Sequence, residues 1–419
     1  MKILLMSPPA EDKNLMKNAR CDFVSWSGCQ WWPMILGHLG AYLSQDHEVK
    51  LVDAQAASLG EEDTRRIVAG YDPDFTVILT SRESLSGDLV WAKYLQDRKE
   101  EARSCMISPF FLDPRAREIS EKMEVDFVSG EPERGVSAWI GGAKGFIKGE
   151  PLTEAEYREI PWVSKFMAAN VGYQSYMAPS EPYPFMDIMT GRGCSYGKCS
   201  FCLWPKTYRQ KYMTRDMDDV IEEVLWIESL GIFKGIMIED DNFPDWRALD
   251  FASRKIKMGS KIPWSCLTRA ELSLETMKIM KQSGCINIHI GFESGSEATL
   301  RRINKGLTKK EMTEFNARAK KSGLHVHGDF MIGIDETEEE IYETIDWACK
   351  LRPQTAQFQI FIPYVGDKQF HEQEHLTELA ILAYKRFYGD PRNWPSVLKQ
   401  FGKPRVIGRS LAKVLGGGS

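Results

Sequence analysis

A chain of 419 residues is long enough for two domains rather than one. Its 43% hydrophobic and 27% charged residues are ordinary for a water-soluble globular protein, and a net charge of −5 gives no broad basic footprint for nucleic acid. No stretch approaches the ~20 apolar residues that cross a bilayer. The apolar run Ile3–Met6 is too short for a signal peptide, so a cytoplasmic protein with no membrane partner is expected.

Residues 2–7 form an apolar run stopped by Ser7, Pro8 and Pro9, which predicts a buried strand. A polar loop with Trp26, Cys29, Trp31 and Trp32 follows, and Leu36, Leu39 and Leu43 then recur at helical spacing. Strands are predicted at 48–53, 74–81, 104–108 and 125–128, with a helix at 86–98. Alternating strands and helices predict a parallel sheet with covered faces, whose ligands bind outside the carboxyl ends of the strands at a switch in strand order. Residues 151–184 hold five prolines and read as a linker with one short helix near 154–158. From Phe185 the alternation resumes as six βα-type units, with strands at 185–190, 235–238, 263–268, 286–292, 326–332 and 357–362. Residues 366–415 read as a helix at 373–387 and a tail made basic by Lys399, Lys403, Arg405, Arg409 and Lys413, either a solvated face or a dock for an acidic partner. The expected architecture is therefore α/β, with a Rossmann-like domain (1–150), the linker (151–184), a βα core (185–365) and a short, mainly helical C-terminal region (366–415). The final Gly-Gly-Gly-Ser (416–419) reads as an appendage.

Six of the nine cysteines are scattered (Cys21, Cys29, Cys105, Cys266, Cys285, Cys349) and read as reduced thiols. Cys194, Cys199 and Cys202 instead fall within nine residues, among Gly191, Gly193, Gly197 and Lys198. In a reduced chain such density points to a metal or an iron–sulfur centre. Iron–sulfur clusters commonly take four thiolates, so three leave one iron open to a ligand. Structural zinc is the alternative, but it needs a fourth ligand, and the next candidates are Cys266 and His289.

Cys199, Ser200, Phe201 and Cys202 resemble the cluster loop of the radical S-adenosylmethionine (SAM) enzymes. Four residues separate Cys194 from Cys199 where three is usual, an extra residue that a glycine-containing loop absorbs because glycine tolerates positive φ. The resemblance implies a 4Fe-4S cluster on these three cysteines, bound SAM and a partial (β/α)6 barrel. It extends to the acidic turn Glu239, Asp240, Asp241, implied to lie near the SAM amino group. Thr268-Arg269 is implied to lie near the carboxylate, and Gly291-Phe292-Glu293-Ser294 near the ribose. Met331-Ile332-Gly333-Ile334-Asp335-Glu336-Thr337 departs from the usual Gly-x-Pro-Gly-Glu-Thr. Taken on their own residues, the acidic turn and Arg269 read equally well as a solvated turn and a structural ion pair.

The first domain resembles the cobalamin-binding domain of the cobalamin-dependent (class B) members. Its implied contacts are Pro8, Thr80, Ser81, Ser108, Gly130 and Glu131. The Asp-x-His-x-x-Gly motif that gives cobalt a lower histidine in cobalamin mutases is absent, and a Rossmann-like scaffold without cobalamin is the alternative. The resemblance implies a methyltransferase acting on an unactivated sp3 carbon. The expected substrate is a protein or peptide, a glutamine in the methyl-coenzyme M reductase alpha subunit, and the expected electron donor is a ferredoxin or flavodoxin. The alternatives are methylation of a small molecule or lipid, non-methylating radical chemistry such as cyclisation or oxidation, and a non-catalytic sensor.

Overall fold

The computed structural model describes residues 1–10, 15–16, 23–24, 29–98, 101–109, 111–178, 180–207, 212–363 and 372–394. Cys21, Trp26, Tyr364, the basic residues from Lys399 to Lys413 and the terminal Gly-Gly-Gly-Ser lie outside them. The chain divides into two compact units. One holds Met1–Ala178 with residues 184–188 and 206–214; the other holds residues 179–183 and 189–205 and the chain from Arg215 onward.

The first unit is built on a six-stranded sheet: β1 (Lys2–Ser7), β2 (Glu48–Asp53), β3 (Phe75–Leu79), β4 (Arg103–Ile107), β5 (Asp126–Gly130) and β6 (Phe146–Gly149). The order is β2-β1-β3-β4-β5-β6, with parallel neighbours throughout. Both faces of β1 are apolar, and they separate by parity. Leu4 and Met6 join Val52, Ile78, Trp91 and Ile119 on one side, while Ile3 and Leu5 join Leu36, Leu39, Val77 and Trp139 on the other. Burial on both faces is why these strands read as continuous apolar runs. The strand order reverses between β1 and β3, the kind of position where doubly wound sheets bind ligands.

The predicted linker differs from expectation. Besides Glu154–Arg158 it forms the helix Val163–Asn170, and residues 151–178 belong to the first compact unit. Helix Met34–Leu43 carries Gly40 where a Cβ would stand 2.1 Å from the Phe166 ring, so glycine there is what lets the two helices meet. Proline density marked the turns but hid the amphipathic segment between them.

The second sheet has β7 (Phe185–Ile188), β8 (Gly235–Ile238), β9 (Trp264–Thr268), β10 (Cys285–Glu293), β11 (His325–Ile332) and β12 (Thr355–Ile360), strung in reverse sequence order as β12-β11-β10-β9-β8-β7. Parallel pairing is defined from β8 to β12. Phe292, Phe330 and Phe358 stack across β10, β11 and β12 with centroids 5.6 and 5.4 Å apart. They pack on Trp347 of helix Glu338–Leu351 and on Tyr384 and Phe387 of helix Gln373–Tyr388. Even-numbered positions of β10–β12 thus face the helices, and odd-numbered positions form the inner face. Among the described residues no helix is long and apolar enough to cross a membrane.

Candidate cluster and nucleotide site

Cys194, Cys199 and Cys202 lie on the loop that follows β7, and two neighbouring segments brace that loop. The first is the acidic turn after β8. Asp240, fully buried, accepts the Thr190 backbone N–H and hydroxyl, both at 2.6 Å, and the Gly191 N–H at 3.0 Å. Burial holds its carboxyl above the usual range despite Arg247 and these hydrogen bonds. Asp241 accepts the Gly193 N–H at 2.7 Å, and the Asn242 amide donates to the Ser195 hydroxyl at 2.8 Å. Gly193 and Gly197 take φ of 90° and 58°, so the longer gap before Cys199 is accommodated in left-handed backbone that glycine adopts cheaply.

The second brace is residues 303–306. The Ile303 carbonyl accepts the Ser200 N–H at 2.9 Å, the Asn304 amide donates to the Lys198 carbonyl at 3.0 Å, and the Tyr196 hydroxyl donates to the Asn304 carbonyl at 2.8 Å. Arg269 lies 3.8 Å over the Tyr196 ring. Its guanidinium donates to the Lys305 carbonyl at 2.8 Å and to Glu271 at 3.0 Å, and comes within 3.9 Å of the Cys199 sulfur. Lys305 and Glu293 form an ion pair at 2.8 Å with side chains only 5% and 9% exposed. Glu293 holds φ at 65°, a left-handed conformation uncommon for a residue with a Cβ and typical of functional sites.

Burial raises the Cys199 thiol and pushes Cys202 up to about 12, so both stay protonated until a metal displaces the proton. Three thiols on one loop, beside a guanidinium and near a buried lysine, fit an iron–sulfur cubane with one open iron. Elsewhere, His289, His327 and Asp329 bring their ligand atoms within 4.8 Å of one another.

The predicted SAM-contacting residues divide in two. Glu239, Arg269 and Glu293 all follow or end strands at the carboxyl rim of the second sheet, and all three are buried. Asp240 and Asp241 turn to the backbone of the cysteine loop, and the Ser294 hydroxyl bonds Glu336 at 2.7 Å and Thr344 at 2.9 Å. Lys305 and Asn304 were not anticipated, because they act through contacts distant in sequence and carry no local motif. Asn242 and Tyr196 lie in the acidic turn and the cysteine loop, but no role was expected of either.

In the first unit, the predicted cobalamin contacts all gather at the carboxyl ends of strands. Pro8 follows β1, Thr80 and Ser81 follow β3, Ser108 follows β4, and Gly130 and Glu131 close β5. Ser81 is tied into a hydroxyl–carboxylate chain through Ser84 to Asp88, with bonds of 3.0 and 2.6 Å. The hydroxyls of Ser7 and Thr80, both fully buried and flanking the order switch, have no hydrogen-bond partner among the described residues. Buried orphan hydroxyls are costly unless a ligand satisfies them, so this rim fits a bound polar group such as a corrin amide.

A parallel βα barrel sheet with three thiols on the loop after its first strand defines a cluster-bearing βα enzyme. The family description of the Radical SAM superfamily matches residues 188–348. An uncharacterised methyltransferase of Pyrococcus horikoshii is 30% identical over 391 residues, covering 88% of this chain and 82% of the relative. The chain belongs to the radical SAM superfamily. Cytidylyl-2-hydroxyethylphosphonate methyltransferase of Streptomyces wedmorensis is 28% identical over 44% of the chain, which spans about a third of that relative (36%). Among solved structures, the cobalamin-dependent SAM radical enzyme OxsB is 17% identical with a TM-score of 0.61, covering 96% of this chain and 57% of OxsB. The methyltransferase TsrM of Kitasatospora setae is 14% identical with a TM-score of 0.61, covering 86% of this chain and 74% of TsrM. These two likenesses establish the α/β fold, a Rossmann-like unit followed by a radical SAM barrel.

Proposed function

We propose that the chain is a cobalamin-dependent radical SAM methyltransferase acting on an unactivated sp3 carbon. The observation that carries this reading is the pairing of a three-thiol loop on a βα sheet with a doubly wound domain whose switch point holds two orphan hydroxyls. Similarity to a methyltransferase over most of both chains supports it. When bound, the cluster supplies the electron that splits SAM, and cobalamin supplies the methyl group. The protein's part is to fix the cysteine loop through Asp240, Asp241 and Asn304, to hold SAM with Glu239, Arg269 and Glu293, and to keep the rim dry.

The substrate we infer is a protein glutamine in the methyl-coenzyme M reductase alpha subunit, with a ferredoxin or flavodoxin as reductant in the cytoplasm. The archaeal relative, an uncharacterised methyltransferase, supports the methyl transfer, and the substrate is our own inference from the resemblance. The test is anaerobic reaction of the reconstituted protein with that subunit, SAM and reductant, followed by peptide mass spectrometry. A gain of one methyl on a glutamine carbon is expected, and an unmodified subunit alongside methylation of a small molecule would overturn the substrate. A small-molecule substrate is the second reading, favoured by the partial likeness to the cytidylyl-2-hydroxyethylphosphonate enzyme and to a bacteriochlorophyllide methyltransferase of Chlorobaculum tepidum (28% identity over 45% of this chain).

A further inference from the structure

The inner face of β10 and β11 carries a cluster that the thiol site does not use. His289 and His327 are register partners with ring centroids 4.8 Å apart, and Asp329 follows two residues on along β11. His289 is backed by Glu181, which is almost fully buried. The His289 Nε2 stands 3.2 Å from Glu181, and the Ser265 hydroxyl donates to the same carboxylate. Burial alone would depress His289, but the hydrogen bond and charge of Glu181 outweigh it, and His289 likewise holds the Glu181 carboxyl down against its own burial. The His289 Nε2 is taken up by Glu181, by the Asn287 amide at 2.9 Å and by the Ser180 hydroxyl at 3.3 Å, which closes the back of the cluster and leaves that nitrogen unavailable to a metal.

The front of the cluster is His327 and Asp329, with side chains 15% and 27% exposed. His327 Nδ1 is 2.7 Å from the Thr355 hydroxyl, and Nε2 is 3.5 Å from the Asp329 carboxylate. The carboxylate favours the tautomer with the proton on Nε2, so the Thr355 hydroxyl donates to Nδ1. At 3.5 Å the N–H and the carboxylate are too far apart for a good mutual hydrogen bond. One donor and one acceptor thus stand side by side on a partly open inner wall. Asp329 pairs in register with Gly291, and across a bulge the next pair is Phe330 with Glu293, so Asp329 stands one register pair below the rim.

A primary amide presents the complementary pair, a carbonyl acceptor next to an N–H donor. A carboxylate would set its charge against Asp329, and an ammonium would leave the His327 N–H unmatched. We propose that His327 and Asp329 form an amide-reading subsite, in which Asp329 accepts the N–H and His327 donates to the carbonyl of a substrate carboxamide held beneath the rim. This deepens, and rests on, the methyl-transfer reading by assigning the substrate class to two residues.

The experiment is an anaerobic titration of the full-length, cluster-loaded protein, labelled with 15N-histidine, using N-acetylglutamine methylamide, its glutamate counterpart and its diaminobutyrate counterpart. The His327 signal is identified with His327→Gln. The amide is expected to shift that signal and to bind about 10-fold or more tightly than acid or amine, because a site built for paired polar groups rejects a ligand that leaves one unmatched. Asp329→Asn, checked for unchanged iron content, is expected to lose that preference and about 10-fold in amide affinity. Equal binding of acid and amide, tightest binding of the amine, or unchanged amide affinity in Asp329→Asn overturns the subsite. So does a stoichiometric metal beyond the cluster iron that is lost in His289→Ala. Amide binding that depends on Asp329, with no methylated product from any substrate, would sink the methyl-transfer reading and leave the subsite standing. Methylation with kcat/KM unchanged in Asp329→Asn does the reverse.

Discussion

Glu336 sits on the turn after β11, 3% exposed, accepting the Ser294 hydroxyl and the Gly333 N–H at 2.7 and 3.1 Å. Burial is the main reason its carboxyl is raised to about 7. A raised carboxyl stabilises the fold fully below its unfolded value of 4.5, and that stability is lost as pH climbs through about 7. The loss amounts to roughly 3 kcal/mol at 1.36 kcal/mol per pH unit. Glu336→Gln is therefore expected to flatten the fall in the urea unfolding midpoint between pH 5 and pH 8; an equally steep fall in the variant would refute the assignment. The Lys305–Glu293 pair makes a second residue-scale prediction. Lys305→Met leaves a buried carboxylate unpaired and should cost roughly 3 kcal/mol, and adding Glu293→Gln should restore part of that loss in the same unfolding measurement. Among individual residues, the cluster cysteines were legible because thiolate chemistry demands that residue type at close spacing. Lys305 was not, since its importance lies in a partner 12 residues away; Glu336 fell within the 331–337 segment set against Gly-x-Pro-Gly-Glu-Thr, but its bond to Ser294, 42 residues away, left no trace there.

At the scale of elements, residues 303–306 are the segment that positions the cysteine loop from outside it. Gly306 takes φ of 69°, and a Cβ there would stand 2.2 Å from the Tyr196 hydroxyl. Gly306→Ala should push Tyr196 off Arg269 and loosen the loop. The expected result is a lower iron content after anaerobic reconstitution while the far-ultraviolet circular dichroism is retained; full iron loading would show that the loop does not depend on this brace. Strands were easier to read than helices for a physical reason. Buried parallel strands are apolar on both faces, whereas helix Asp113–Met123 buries only Ala116, Ile119 and Ser120 and looks polar in sequence. Helices Glu61–Tyr71 and Pro132–Ile140, the six-residue helix Glu297–Arg302 and strand Phe146–Gly149 escaped sequence reading in the same way. Helix Lys309–Ser322 was legible because Met312, Phe315 and Ala319 share a face and Gly323 ends it in the left-handed conformation.

For the whole molecule, the alternation of strands and helices gave the α/β class, but the 2-1-3 strand order of the first sheet is a long-range fact that no local pattern carries. That order sets Ser7 and Thr80 beside the switch point, where doubly wound sheets bind ligands. Corrin uptake tests this: anaerobically loaded protein should retain cobalamin absorbance through gel filtration, and substituting Thr80 by Val should weaken retention. If no corrin is retained, non-methylating radical chemistry gains weight.

The central claim is that Cys194, Cys199 and Cys202 hold a cluster with a vacant iron where SAM is split. The most direct measurement is 5′-deoxyadenosine released by the reconstituted protein on reduction in the presence of SAM, with iron counted in the same sample. About four irons per chain and steady release, both lost in Cys199→Ala, are predicted. A single zinc per chain, or release that survives the loss of Cys199, would contradict the account.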